Sequence, residues 1–120
     1  NLVETDKIDI IENGQTIIAS GGKVISSDNN IEVEALKFNY KKKLDLLESF
    51  NGTAFVNSDN IKIDFEEIKI DQKNLIISTK KKTKIHDLKS KLILETEDVI
   101  YDRKNKILMS EKNSILKDKF

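Results

Sequence analysis

The chain has 120 residues, of which 38% are hydrophobic and 35% are charged, a balance that suits thin sheets with one wet face better than a thick core. Its 21 basic and 21 acidic residues cancel, and Arg103 is its only arginine, which argues against a nucleic-acid partner. The absence of cysteine excludes disulfides and thiolate chemistry. No run of about eighteen apolar residues is present, which excludes a membrane-spanning helix.

Alternation of apolar and polar residues predicts β-strands along most of the chain, and no segment has an apolar stripe at helical spacing. In chain order the alternating runs are Ile8/Ile10, Ile31/Val33/Ala35, Phe38/Tyr40, Leu44/Leu46, Ile61/Ile63/Phe65, Ile68/Ile70, Leu75/Ile77 and Leu92/Leu94. Between them lie residues that tolerate a left-handed backbone, and these predict turns. The predicted turns are Asn13-Gly14, Gly21-Gly22, Ser27–Asn30, Asn51-Gly52, Ser58–Asn60 and Arg103–Asn105.

One pattern occurs three times along the chain, at intervals of thirty and thirty-one residues. The copies are Ile31–Tyr40, Ile61–Ile70 and Leu92–Tyr101, and Ile8–Ile10 is the tail of a fourth. A repeat of this period indicates stacked copies of one small unit that cannot close a core alone. We therefore predict a single domain over residues 1–120, built from three such repeats and a partial N-terminal one.

Each copy contains one three-residue step between its apolar positions, at 35 to 38, 65 to 68 and 96 to 99. In an unbroken strand this step would put the two halves on opposite faces of the sheet. Its recurrence predicts a bend or bulge that turns the second half of each strand inward. A sheet that bends at the same point in every strand forms a trough with an apolar lining.

These residues resemble the OstA-like family of lipopolysaccharide-transport domains, found in LptA, LptC and the N-terminal part of LptD. The resemblance covers residues 6–110 and depends on recurrence, because each motif is degenerate at any single position. The matching segments are Ala19–Val24, Ala35–Lys41, Phe50–Ala54, Phe65–Asp71 and Glu97–Asp102. The chain departs from the family at Gly21-Gly22, where it has an extra glycine, and at Lys80–Lys84, where a glycine turn is expected.

The resemblance implies an all-β, repeat-built β-jelly-roll (β-taco) of antiparallel strands whose apolar groove shields acyl chains. We also predict no enzyme activity, no cofactor and no metal, because the sequence shows no catalytic or metal-binding constellation. The implied partners are lipopolysaccharide, through its lipid A acyl chains, and homologous jelly-roll domains joined by edge-strand pairing, with end-to-end self-association. The implied location is the periplasm, for a free-standing protein or for part of a larger outer-membrane protein. The predicted lipid-binding lining is Ile8, Ile10, Ile31, Val33, Ala35, Phe38, Tyr40, Ile61, Ile63, Phe65, Ile68, Ile70, Leu92, Leu94, Val99 and Tyr101.

Two other functions fit the apolar alternation. The first is a structural β-solenoid or jelly-roll spacer with a filled core and no ligand. Without the family resemblance, the apolar alternation favours this spacer. Mid-sized Ile, Leu and Val linings leave some room, which favours an open groove. The second is a carbohydrate-binding jelly-roll, but a chain with no Trp and two Tyr offers few aromatic platforms.

Polar clusters suited to catalysis or metal binding are sparse in this sequence. His86 lies beside Asp87 without a nucleophile motif, which favours a surface or edge position over catalysis. The carboxylates at 95, 97 and 98 and the Ser58–Asn60 segment favour solvated turns and edges over a metal site. The lysine runs Lys41–Lys43 and Lys80–Lys84 are predicted at strand ends, either as solvated turns or facing the phosphates of a glycolipid headgroup.

Overall fold

The structure is a computed structural model, and it describes residues 2–11, 16–26, 28–110 and 115–118. Side-chain burial is described for residues 21–26, 28–110 and 115. No helix in these ranges is long and apolar enough to cross a membrane. The described residues form ten β-strands and one turn of 3₁₀ helix at Asn57–Asp59. The strands are β1 (Leu2–Ile11), β2 (Thr16–Ile25), β3 (Ile31–Lys41), β4 (Leu46–Val56), β5 (Ile61–Asp71), β6 (Ile76–Asp87), β7 (Leu92–Glu97), β8 (Val99–Asp102), β9 (Ile107–Ser110) and β10 (Ile115–Asp118).

All strand pairs are antiparallel, and the sheet order from β1 to β7 follows the chain. β6 pairs with β7 along its second half and with β8 along its first half. β10 then pairs with β7, and β9 pairs with β8. The long strands, of ten to twelve residues, therefore continue into two separate groups of short strands at the C-terminal end.

A bend crosses the long strands at one common row, as the three-residue steps predicted. Regular pairing lapses at residues 6, 21, 36, 51, 66 and 81, each fifteen positions after the last. In alternate strands the residue in this row has a left-handed backbone, with φ of 69° at Gly21, 56° at Asn51 and 66° at Lys81. Residues on both sides of each step, such as Ala35 and Phe38, are buried in the same interior.

Two predicted turns are wrong, because Gly21-Gly22 lies inside β2 and Asn51-Gly52 lies inside β4. Their left-handed backbone makes the bend instead of reversing the chain. Lys80–Lys84 was predicted at a strand end but lies within β6, at the same bend. The predicted turns at Ser58–Asn60 and Arg103–Asn105 are confirmed, as is the described part of the turn that precedes β3. Asn13-Gly14 lies outside the described residues.

The bend divides the sheet into an upper wall and a lower wall whose inner faces meet. The hairpin turns lie along the two free edges, which we call lips. The upper lip comprises residues 28–30, 57–60 and 88–91, and the lower lip comprises residues 42–45, 72–75 and 103–106. β7 and β10 extend the upper wall, while β8 and β9 extend the lower wall.

Backbone hydrogen bonds join each turn of a lip to the next one. In the lower lip the amide of Gln72 donates to the Asp45 carbonyl at 3.1 Å, and the amide of Arg103 donates to the Leu75 carbonyl at 2.9 Å. Equivalent bonds of 2.8 and 2.9 Å join the turns of the upper lip. Each lip is therefore a continuous rim, fixed to its own wall.

Candidate functional site

The inner faces of the two walls form one apolar interior, and most of the predicted lining lies in it. Ten predicted residues are buried, with 1–8% of their surface exposed: Ile31, Val33, Ala35, Phe38, Ile63, Phe65, Ile68, Ile70, Val99 and Tyr101. Four are partly buried: Tyr40, Ile61, Leu92 and Leu94. Ile8 and Ile10 lie in β1, but their side chains are outside those described. The lipid-binding role of all sixteen stays a prediction.

Sequence reasoning missed the contribution of the even-numbered strands to this interior. The residues it missed are Val24, Leu47, Ala54, Val56, Ile77 and Ile85, all buried in the same core. Leu44 and Leu46 were assigned to a strand, but Leu44 is 54% exposed in a turn and Leu47 is the buried residue. The thirty-residue spacing from Val24 to Ala54 and from Leu47 to Ile77 is a signal that could have found these four.

Hydroxyl groups interrupt the apolar lining near the bend. Ser49 of β4 is fully buried, and its hydroxyl has no hydrogen-bond partner. In the same row of the lower wall, the Thr79 hydroxyl lies 2.7 Å from that of Thr83 and accepts a bond from the Val99 amide at 3.1 Å. A buried, unpaired hydroxyl costs about 1–3 kcal/mol, so Ser49 offers a polar atom that a bound molecule could satisfy.

Among the residues whose side chains the structure describes, little free space separates the walls. A cavity of about 20 Å³ lies just beneath the lips, which is room for one water molecule. It is lined by Val24, Ser26, Ile31, Val33, Tyr40, Leu47, Ile70 and Gln72. An acyl chain could therefore enter this part of the interior only if the walls moved apart.

A polar clasp joins the two lips. The carboxylate of Asp59, in the upper lip, accepts a hydrogen bond of 2.8 Å from the Tyr101 hydroxyl of β8 and also pairs with the Lys106 ammonium in the lower lip. The Asp59 side chain is only 3% exposed. Burial, with the bond to Asp59, raises the pKa of Tyr101, so its hydroxyl remains a donor at neutral pH. These contacts hold the two lips together at this point. We call the gap between the lips the mouth.

We expect Tyr101→Phe to lower the free energy of unfolding by about 1–3 kcal/mol, because Asp59 keeps its buried position but loses a donor. Tyr40→Phe is the matched control, since the Tyr40 hydroxyl bonds to Asp45 at 2.7 Å within the lower wall. Urea unfolding of both variants measures the difference. The clasp assignment fails if Tyr101→Phe costs no more than Tyr40→Phe and leaves acyl-chain uptake unchanged.

The clasp should also depend on pH. Burial by itself raises the pKa of Asp59, but hydrogen bonds from Lys106 and Tyr101 outweigh it, so the pKa lies below its ordinary value of 3.8. A carboxyl with a lowered pKa stabilises the folded state above the unfolded pKa, and this stability is lost as pH falls through the folded pKa. We expect wild type to exceed Asp59→Asn in stability at pH 7, with the gap closing below pH 3.8. A gap that stays constant down to pH 2 would contradict this assignment.

A second polar cluster lies on the outer face of the upper wall. His86 is partly buried and bonds through Nε2 to Asp64 at 2.8 Å, not to its sequence neighbour Asp87. Asp64 also accepts a bond of 2.8 Å from Thr53, and the hydrogen bonds lower the pKa of Asp64 although burial by itself raises it. The cluster braces adjacent strands. In the described ranges no three His, Asp or Glu side chains are grouped so as to hold a metal ion.

No protein-family model and no curated protein sequence matches this chain. Among solved structures the chain is similar to LptH of Pseudomonas aeruginosa, described as the LptA-homologous periplasmic component of the lipopolysaccharide transport device. The TM-score is 0.79, with 98% of this chain and 94% of LptH covered, at 11% sequence identity. Identity at this level carries information on the fold alone. The structural similarity confirms the predicted all-β architecture: the chain has the β-jelly-roll fold of the LptA-like proteins.

Proposed function

We propose that residues 1–120 form one unit of a periplasmic lipopolysaccharide carrier. It shields acyl chains between its two walls and passes the lipid toward the outer membrane, without catalysing a reaction. The support from comparison is the fold shared with LptH, which is described as a periplasmic component of lipopolysaccharide transport. The chemistry is passive: tails lie in the apolar interior, while sugars and phosphates remain in water.

The observation that carries this proposal is how the walls are joined. At the bend the backbones of the long strands run continuously from one wall into the other, whereas at the mouth side-chain contacts such as Asp59–Tyr101 connect the walls. The walls could therefore part without loss of the sheet ladders. Each methylene buried between them contributes about 0.8 kcal/mol, so an acyl chain could be held without specific polar contacts.

We propose that the C-terminal edge receives a homologous jelly-roll domain. Among the described strands, β9 pairs on one side only, with β8. Ile107, Leu108 and Met109 of β9 are 38–51% exposed. An edge strand with unpaired backbone groups can accept a strand from another chain, and end-to-end self-association would use the same edge. A concentration series by size exclusion tests this: concentration-dependent association supports it, and a monomer throughout refutes self-association.

A structural spacer with a filled core is the second candidate. The tight interior, with buried side chains at 0–8% exposure and a cavity of about 20 Å³, favours it. Native mass spectrometry of protein purified from Gram-negative cells separates the two functions. Co-purifying lipid supports the carrier, and a clean apo mass supports the spacer.

Site-specific photocrosslinking tests the groove directly. A crosslinker at Leu94, which is partly buried and packs against the core, is expected to form lipopolysaccharide adducts in cells. A crosslinker at Ile100, which is 44% exposed on the outer face of β8, is the matched control and should form few. Equal adduct yields at the two positions would contradict a lipid bound between the walls.

A further inference from the structure

The two lips differ in charge. Among the described turns, the lower lip carries six cations and one carboxylate, and the upper lip carries two of each. The lower-lip cations are Lys42, Lys43, Lys73, Arg103, Lys104 and Lys106, of which Lys106 is paired with Asp59 of the upper lip. This excess of positive charge borders the mouth of a chain whose total charge is zero.

Three of these lysines are in register along the rim. Lys43, Lys73 and Lys104 each occupy the second position of a four-residue turn. We call these three lysines the ladder. Successive turns of one lip are two strands apart, so neighbouring lysines of the ladder are about 10 Å apart. The Lys73 ammonium donates to the Lys43 carbonyl at 2.5 Å, which holds two neighbouring turns together.

Carboxylates flank the ladder and accept hydrogen bonds from neutral groups. Asp71 accepts hydrogen bonds from Asn74 at 3.0 and 2.8 Å, and Asp102 accepts them from Asn105 at 3.1 and 2.8 Å. Asp45 accepts the Tyr40 hydroxyl. Among the described residues, no carboxylate lies within ion-pair distance of the three ladder lysines, which stay exposed.

Lysines on the outer faces of the walls differ from the ladder lysines, because several of them form ion pairs. Each of these pairs with a glutamate on a neighbouring strand, at 2.9–3.4 Å. These pairs are Lys23–Glu32, Lys41–Glu48, Lys81–Glu67 and Lys84–Glu95. Among the described residues, Lys43, Lys73 and Lys104 have no such ion pair, so they are the exposed basic part of the lower lip.

Arg103 adds a planar cation at the same rim. Its Nη1 donates to Gln72 Oε1 at 2.8 Å, which fixes the guanidinium beside the lower lip. Its Nε is buried and has no partner. Guanidinium and ammonium groups are the side chains best suited to phosphate oxygens.

We propose that the lower lip is a phosphate-binding strip, which holds the anionic head of an amphiphile whose acyl chain lies between the walls. This rests on the proposed function and adds to it an orientation, with the head on the lower lip and the tail beneath the mouth. Lys43, Lys73 and Lys104 supply exposed charge in a ladder, so heads with phosphates some 10 Å apart are accommodated best.

Two lipids with the same acyl chain test the strip: lysophosphatidic acid, which has a phosphate, and monoacylglycerol, which has none. Both are titrated by calorimetry below their micelle concentrations. The test variant is Lys43→Gln/Lys73→Gln/Lys104→Gln. The matched control, Lys62→Gln/Lys69→Gln/Lys80→Gln, removes three charges from the outer faces. Circular dichroism verifies that both variants fold.

We expect wild type and the control variant to bind lysophosphatidic acid about tenfold more tightly than monoacylglycerol, with the ratio shrinking as salt rises. In the lip variant the ratio should approach one, with monoacylglycerol binding unchanged. Equal binding of the two lipids by wild type overturns the strip and leaves the groove intact. A ratio that survives in the lip variant, or falls equally in the control, also overturns it.

Inorganic phosphate is the third probe. If it binds wild type as tightly as lysophosphatidic acid does, and loses binding in the lip variant, the strip is a free-anion site and the headgroup assignment is overturned. Weak or undetectable phosphate binding supports the headgroup. If neither lipid binds wild type, the proposed carrier function and the strip fail together.

Discussion

Ile63→Asp is expected to unfold the protein. Ile63 is 2% exposed at the centre of the upper wall, between Ala54 and Ile85 on the neighbouring strands. Loss of its packing costs about 2–5 kcal/mol, and an unpaired carboxylate in the interior costs several kcal/mol more. Small domains are stable by only about 5–15 kcal/mol, so the sum is comparable with the whole stability of the fold.

The matched control is Ile100→Asp, the same change at a residue that is 44% exposed on the outer face of β8. It should cost less than about 1 kcal/mol. Far-ultraviolet circular dichroism and urea unfolding separate the two variants. If Ile63→Asp retained the strand signal and the wild-type midpoint, the walls would not enclose this residue. A charge at this position is therefore a test of the core, and crosslinking at Leu94 is the cleaner test of lipid binding.

Gly52→Ala is expected to destabilise the protein by about 3 kcal/mol or more, although it adds a single methyl group. A Cβ at this position would lie 2.0 Å from the Glu34 carbonyl oxygen and 2.7 Å from the Ala35 Cα. Both contacts are to backbone atoms of β3, which cannot rotate away as a side chain would. The bend would have to open between β3 and β4.

Asn51→Gly is the control at the neighbouring position in the bend. Asn51 has a φ of 56°, which glycine adopts without strain, so stability should change by less than about 1 kcal/mol. Thermal unfolding of the two variants measures the contrast. Equal midpoints for Gly52→Ala and wild type would contradict the close approach of the two strands.

The sequence predicted the strands, the bend and ten of the sixteen buried apolar residues described, because these depend on local patterning. Alternation specifies which face of a strand is buried, and the step from Ala35 to Phe38 recurs at 65 to 68 and 96 to 99. The inner face of β4 was harder to predict, because the alternation of inward and outward side chains changes phase within the turn that ends at Asp45. Leu47 was therefore missed, and exposed Leu44 was assigned to a strand.

Local chemistry did not distinguish a bend from a turn. Asn51-Gly52 favours a left-handed backbone in either setting, and only pairing with β3 and β5 decides that the strand continues. Lys81 adopts the same backbone without any glycine signal, because the bend of the neighbouring strands imposes it.

By itself, the sequence determined a repeated all-β chain with a shared apolar face, because periodicity of two is a property of each strand alone. The tertiary structure alone decided how closed the interior is and what closes it. Asp59 and Tyr101 are 42 positions apart and meet only because the sheet folds over. The basic ladder likewise arises from turns thirty residues apart that sheet pairing stacks side by side. Contacts of this kind depend on where distant strands are placed, and no local pattern records them.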